Sequence, residues 1–587
     1  MSPPQRYSFV NARPQTKAEK RQTRTAIRSH IGRWTQEKQQ KLEGNVVSAS
    51  EKDSPPESSR TVSLSPGSTD QTRPRRPDRV ASVWSESVEE TSDSRSSLGG
   101  TEHDADDISA RALVSSVDRE WEALPPNTIV QVLGSGILDP FRTYPSNFPS
   151  ALVSQAHEYW DDETIALKVL WPGLTPRPLV GAEPPASKAW FPMALNDPVA
   201  LHSLLFGALS HKRLNLLRGA GAHVNLDVAS LEVDMRRCEI ESIALINKAL
   251  RKDNTITDAM IVSVLCMAAN AWDLTLERFL EQSAPAPVFD PLLKSLQWLD
   301  IYGLLSVHPT HAAGLVQLIK LRGGLHKIQT PGLAATVFYS GIINASKSLT
   351  APIFPFIPLA EGDDQNQNET LWSLLGTSPS ELRDEFVFNG LFDLGLTDEL
   401  ALVLVAMQRY GQCVQLFVDG VLPDLDLARF CDRRNLIQHT LLTLPSDRDL
   451  PDPSSPHPIY EPTRLAMVIY SLTVIFPLPP QTAPLAVLTG QLKAALQATD
   501  LRSSWSSSHQ ARRLLIWVLC IGAVAARDVP EDRSWFVAVL RRLTAKETRL
   551  KQFENLKRDV LSRILWLDRS CDAAGRFLWK EVMDLGN

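Results

Sequence analysis

The 587-residue chain is too long for one ordinary domain, and its 43% apolar content suffices for a large buried core once polar segments are set aside. Its formal charge of −6 is unevenly spread: residues 1–41 hold ten Lys or Arg against Glu19 and Glu37, so they carry +8 and the remainder −14. An acidic body repels polyphosphates at long range, which excludes it as the expected nucleic-acid surface and leaves it for proteins or small molecules.

The first predicted element is a short helix in a basic arm, residues 1–43. In KAEKRQTRTAIRSHIGRWTQEKQQKLE, Lys17, Arg21, Arg24 and Arg28 fall on one helical stripe and Ile27, Ile31 and Trp34 on another. A helix this short is marginal alone and orders against a partner surface, DNA or the body. Lys17, Lys20, Arg21, Arg24, Arg28 and Arg33 are the candidate contacts to DNA phosphates or to nuclear import machinery. Without a rigid scaffold they position a chain on a backbone and do not read bases.

Residues 44–123 are dominated by Ser, Thr, Pro and charged residues, as in SEKDSPPESSRTVSLSPGSTDQTRPRRPDR, and are expected to form a disordered linker. Thr72 to Arg79 is a second basic knot and Ser85 to Asp107 is acidic. A solvated linker explains both, with an import signal and an activation-type segment as the alternatives.

An ordered body is expected over residues 124–587. It opens on VQVLGSGILDPFRTYPSNF, whose turn residues and aromatic rings suit an extended docking strap. The Gly134-Ser135-Gly136 turn lacks the strand, helix start and lysine of a P-loop. From Asp197 onward, apolar residues recur at three- and four-residue spacing. VALHSLLFGALSHKRLNLL, SLEVDMRRCEIESIALINKALR, AMIVSVLCMAANAWD, LVLVAMQRYGQCVQLFV and RRLLIWVLCIGAVAARD each predict a helix. Arg322-Gly323-Gly324 closes a helix that begins near Ala312, and Thr397-Asp398 starts another. The expected fold class is all-α, a large irregular multi-helix domain without a repeat period. Leu465 to Leu478 and Leu514 to Ala526 are apolar but fall short of the roughly 18–20 residues that cross a bilayer, so both are expected to be core helices, with no membrane partner.

Candidate chemistry is sparse. The six cysteines, Cys238, Cys266, Cys413, Cys431, Cys520 and Cys571, stand singly in apolar stretches without metal-site spacing, which predicts buried thiols in a reducing compartment. The N-terminus has no apolar segment with a cleavage site, which speaks against secretion. His157-Glu158-Tyr159-Trp160-Asp161 has the HxxxD pattern of an acyltransferase class, with His157 as general base, but a surface histidine is the simpler expectation. His308 and His311 have a spacing permitted for metal ligands; Pro309 between them favours the first turn of a helix, and no metal or cofactor is expected. Trp505, Trp517, Trp535, Phe536, Trp566, Phe577 and Trp579, interleaved with aliphatic residues, are expected in the core.

An ordered set of motifs carries a family resemblance. FVNARP and RQTRTAIRSHIGR are followed by GSGILDPFRTYP, HPTHAAGLVQLIKLRGGL, RLAMVIYSLTVIFPLPP, LLIWVLCIGAVAARDVPEDRSWFV and ILWLDRSCDAAGRFLWKEV. This series resembles the fungal-specific transcription factor domain proteins, the helical middle homology family usually found downstream of a zinc binuclear cluster. The resemblance implies an all-helical regulatory domain, a nuclear location and control of transcription, with no enzyme activity. Such a cluster needs six closely spaced cysteines near the N-terminus, whereas the first here is Cys238; the chain is similar to the subgroup without it.

The function expected is therefore a fungal transcription regulator whose helical domain engages proteins or a small molecule. Its expected partners are the DNA backbone through the arm, other transcription regulators or import machinery. The alternatives are a cytoplasmic adaptor or scaffold without direct DNA binding, and an acyl-transfer enzyme using His157. Self-association through the helical body stays open, since no heptad run flanks the arm.

Overall fold

Helices begin and end where the local chemistry of the chain dictates. In the computed structural model, the structure describes residues 190–584 apart from gaps at 220–227, 253–254, 271–285, 360–369, 422–426 and 451–456 and a few single positions. The expected arm, linker and strap lie outside the described residues.

The first group of helices is α1 (Pro198–Gly219), α2 (Val228–Lys252), α3 (Asp258–Ala269) and α4 (Pro309–Arg322). The Thr257 side chain caps α3 by accepting from the Met260 N–H at 3.2 Å. Pro309 occupies the first turn of α4, where a missing N–H costs nothing, and Gly323, at φ 96°, closes it in the left-handed conformation that glycine adopts freely. That helix starts three residues before the expected Ala312. α1 packs on α2 and α3, and α3 on α4. Asp258 ties the group together: its carboxylate accepts from Arg322 at 3.1 Å and from the Gln329 and Thr330 N–H groups at 2.8 and 2.9 Å.

The second group comprises α5 (Leu333–Ser348), α6 (Asp398–Val418), α7 (Leu427–Thr443) and α8 (Tyr460–Tyr470). Thr397 caps α6 as expected, accepting from the Leu400 N–H at 3.2 Å, and Asp398 and Glu399 favour the positive end of the helix dipole. α6 alone among the described helices is long and apolar enough to cross a bilayer. Here it is a core helix: Leu400 to Met407 are all buried, and it packs on α7. α7 also contacts α5 and α8. α8 runs into a π-helical turn at Ser471–Ile475, so the apolar stretch Leu465 to Leu478 is a buried helix ending at the prolines.

The third group is α9 (Leu485–Ala498), α10 (His509–Ala525), α11 (Pro530–Thr544) and α12 (Asp568–Asp584). α10 is the hub: it packs on α8, α9, α11 and α12 and buries every residue from Leu514 to Ala525. Gly522 makes this possible, because a Cβ there would come within 2.7 Å of the Phe536 ring and 2.9 Å of Leu492. A single hydrophobic core runs through all three groups. Among the described residues there is no β-strand, as the all-α expectation requires.

Candidate functional site

The structure separates the candidates unevenly. Lys17, Lys20, Arg21, Arg24, Arg28 and Arg33, together with His157 and the Gly134-Ser135-Gly136 turn, lie outside the described residues. His308 and His311 form the first turn of α4: the His308 ring caps the helix by accepting from the His311 N–H at 3.4 Å, and the two rings sit 4.4 Å apart. Among the described residues no group of three His, Cys, Asp or Glu side chains is placed to hold a metal ion. Burial pushes His311 down to about 4, with the neighbouring His308 acting in the same direction.

Five of the six cysteines are buried and Cys413 is half-buried. Burial raises the thiols of Cys266, Cys520 and Cys571 to about 12, which keeps them protonated and poor nucleophiles. Of the C-terminal aromatics, Trp505, Trp517, Phe536 and Trp579 are buried, whereas Trp535 and Trp566 are half-buried. The expectation fails at Phe577, which is 67% exposed. Cys571, Gly575, Leu578, Trp579 and Val582 form the inward stripe of α12, and Phe577 falls on the far side, where Arg533 stands 5.8 Å from its ring.

Sequence reasoning missed a polar seam through the core. α7 reads LARFCDRRNLIQHTLLT, yet Asp432, Arg434, Asn435 and Gln438 are all buried. Arg434 is 1% exposed and pairs with no carboxylate among the described residues. Its guanidinium instead donates to the Leu296 carbonyl at 3.0 Å, to the Gln297 side-chain oxygen and, at 3.4 Å, to Asn435, while the Phe476 ring lies 5.0 Å from it. One turn on, the Gln438 amide donates to Ser346 of α5 at 2.9 Å and accepts from Ser471 of the π turn at 2.5 Å. Gln297 and Trp298 both adopt positive φ, 56° and 50°, a strained conformation for residues with a side chain. Arg434 and the Tyr339 hydroxyl, which donates to the Gln297 carbonyl at 3.0 Å, hold that kink. The seam thus links α5, α7, the 296–298 kink and the π turn through polar bonds that have two ends each.

A second feature lies at the surface between α8 and α9. A cleft of about 470 Å³ is lined by Leu465, Val468, Leu488 and Ala495, with the Glu461–Arg464 ion pair and the exposed Arg448 among its polar groups. Its volume falls in the range of small-molecule sites, with a lining more polar than most of them have.

The third feature is electrostatic. Segments 509–513 and 541–563 contain ten Lys or Arg and three Asp or Glu, a local charge of +7 in a chain of net charge −6. The fold brings the start of α10 against the end of α11. Arg512 at the start of α10 donates to the Leu543 carbonyl at the end of α11 at 2.7 Å and pairs with Glu547 at 2.6 Å. The Trp517 indole, one turn further along, donates to Leu565 at 2.7 Å. Asp559 is held ionised, its carboxyl below the usual range, first by its bond to Arg558 and then by the fields of Arg549 and Arg513.

The matched family bears on this part of the fold. Residues 411–586 match the model of the fungal specific transcription factor domain. The match begins within α6 and ends at the close of α12, so the matched stretch takes in Arg434, the cleft lining other than Leu349, and the start of α10 with the end of α11. Three of the motifs that carried the resemblance, at 464–480, 514–537 and 564–582, fall inside it. No curated protein and no solved structure matches the chain.

Proposed function

We propose that this chain is a fungal transcription regulator that acts in the nucleus through its helical body, without catalysis, with the body receiving a protein partner or a small molecule. The observation that carries this reading is the match of the fungal specific transcription factor domain to residues 411–586. The cleft between α8 and α9 is the candidate receiving site for a small molecule, and the seam through Arg434 connects the helix that leads into that cleft with the rest of the core. The arm cations Lys17, Lys20, Arg21, Arg24, Arg28 and Arg33 belong to the same proposal as contacts to DNA phosphates or import machinery.

Chromatin occupancy of the tagged full chain, measured beside a variant lacking residues 1–41, tests the proposal. Discrete peaks support a regulator, and their loss in the truncated variant assigns the contact to the arm. A cytoplasmic protein, or a nuclear one without peaks, replaces the regulator with an adaptor.

A further inference from the structure

We infer that the basic end of α10 and α11 is a second nucleic-acid contact, a surface on the helical body that binds the phosphate backbone of duplex DNA. The inference rests on the regulator reading for its choice of partner, but its physical basis is independent of that reading.

Net charge alone points away from this surface, because the chain outside residues 1–41 is acidic. The fold offsets that average locally by bringing the start of α10 against the end of α11, through Arg512 on the Leu543 carbonyl and Glu547, in a part of the chain whose two segments hold ten cations and three carboxylates. Several of the cations are already engaged: Arg512 pairs with Glu547, Arg558 with Asp559, and Lys557 with Asp568 and Asp572 outside the two segments, while Arg541 and Arg542 donate to the Val582 and Ala538 carbonyls at 3.1 and 3.3 Å. Lys546, Arg549 and Lys551 are different. All three are exposed, they fall within six consecutive residues, and no carboxylate lies within ion-pairing distance of them among the described residues. Behind them Arg558 pairs with Asp559 at 2.9 Å. A concentration of charge like this raises the self-energy of the fold unless a polyanion neutralises it.

The composition of the surface selects the polyanion. Sites for acidic peptides need apolar anchors as well as charge, since buried aromatic and aliphatic groups dominate protein–protein binding energy. Every exposed large hydrophobic residue of the described structure, from Val233 to Phe577, lies outside 509–513 and 541–563. Seven of the ten cations are arginine, whose planar fork matches phosphate oxygens and is less strongly hydrated than an ammonium. A surface with dense guanidinium charge and no apolar anchor fits a DNA backbone, and it carries no side chains arranged to read bases.

The test uses the full chain with K546Q, R549Q and K551Q combined, and a random-sequence 20-base-pair duplex followed by fluorescence anisotropy across a salt series. Each lost phosphate contact removes about 0.9 from the slope of log affinity against log salt. The triple variant is expected to lose roughly 2–3 from that slope, to weaken binding at least about tenfold at moderate salt, and to leave helical content by circular dichroism unchanged. The K546R and K551R pair, which keeps the charge, retains parental binding. A variant lacking residues 1–41 keeps the part of the slope that the triple substitution removes. The inference is overturned if the triple variant matches the parent, if all duplex binding disappears with the arm, or if the substitutions weaken binding to poly-glutamate and leave duplex binding untouched. Absence of chromatin peaks with intact, patch-dependent duplex binding would defeat the regulator reading and leave this surface standing.

Discussion

Arg434 concentrates the energetic risk of this fold in one side chain. A guanidinium cannot shed its proton on burial, so its desolvation is offset only by the Leu296, Gln297 and Asn435 oxygens and by the Phe476 ring. Removing it strands the Leu296 carbonyl and the buried Gln297 and Asn435 oxygens and releases the kink at Gln297 and Trp298. Arg434→Met is expected to destabilise the protein by about 3 kcal/mol, read as a lower denaturant midpoint, and a loss below about 0.5 kcal/mol would show that the seam is structurally idle. His311 makes a second prediction at this scale. Its folded value of about 4 lies below the ordinary 6.5, so the unfolded chain binds the proton first as pH falls. The contribution of neutral His311 is complete above about pH 6.5 and is lost as pH drops through 4; the gap corresponds to about 3 kcal/mol. A His311→Leu variant should therefore show a flatter dependence of stability on pH between 7.5 and 4.5 in urea titrations. Parallel curves for the two proteins would refute the assignment. The histidine pair was visible in HPTHAAGL as a helix start. Arg434 was not visible as a core residue, because a polar stripe on a helix looks solvent-facing until neighbouring helices cover it.

At the scale of elements, helix termini obeyed local chemistry. Thr257, Thr397 and Ser508 cap α3, α6 and α10 through their hydroxyls, and Pro309 and Pro530 open α4 and α11. These signals depend on residues within one turn of each other, which is why they could be read from spacing alone. The close packing of α10 against α9 and α11 could not, since Gly522 reads as a neutral residue within an apolar run. A methyl group there must displace Phe536 and Leu492, both close to it. Gly522→Ala is expected to cost about 1–3 kcal/mol and to lower the thermal midpoint by several degrees, despite the higher helix propensity of alanine. An unchanged or raised midpoint would mean that the helices move apart freely. Phe577 shows the converse limit: its neighbours are core residues, but a helix turns 100° per residue and places it opposite them.

For the whole molecule, charge and its placement are separate quantities. Composition assigned the body a negative field, and this remains true of the sum. The helical body nevertheless brings the cations at the start of α10 beside those after α11, almost thirty residues apart in sequence, and the salt-titration experiment separates this proposed contact from that of the arm. The same assembly buries five thiols and joins three helical groups through one core. The sequence by itself determined the all-α class, the main helices with the Thr397, Pro309 and Gly323 ends, and the resemblance that the match over residues 411–586 bears out, because periodicity, capping and family motifs are local patterns. Only the tertiary structure decided which polar face of α7 is buried, why α10 needs a glycine, and where the cations of α10 and α11 meet, because each depends on distances between residues that the chain order keeps apart.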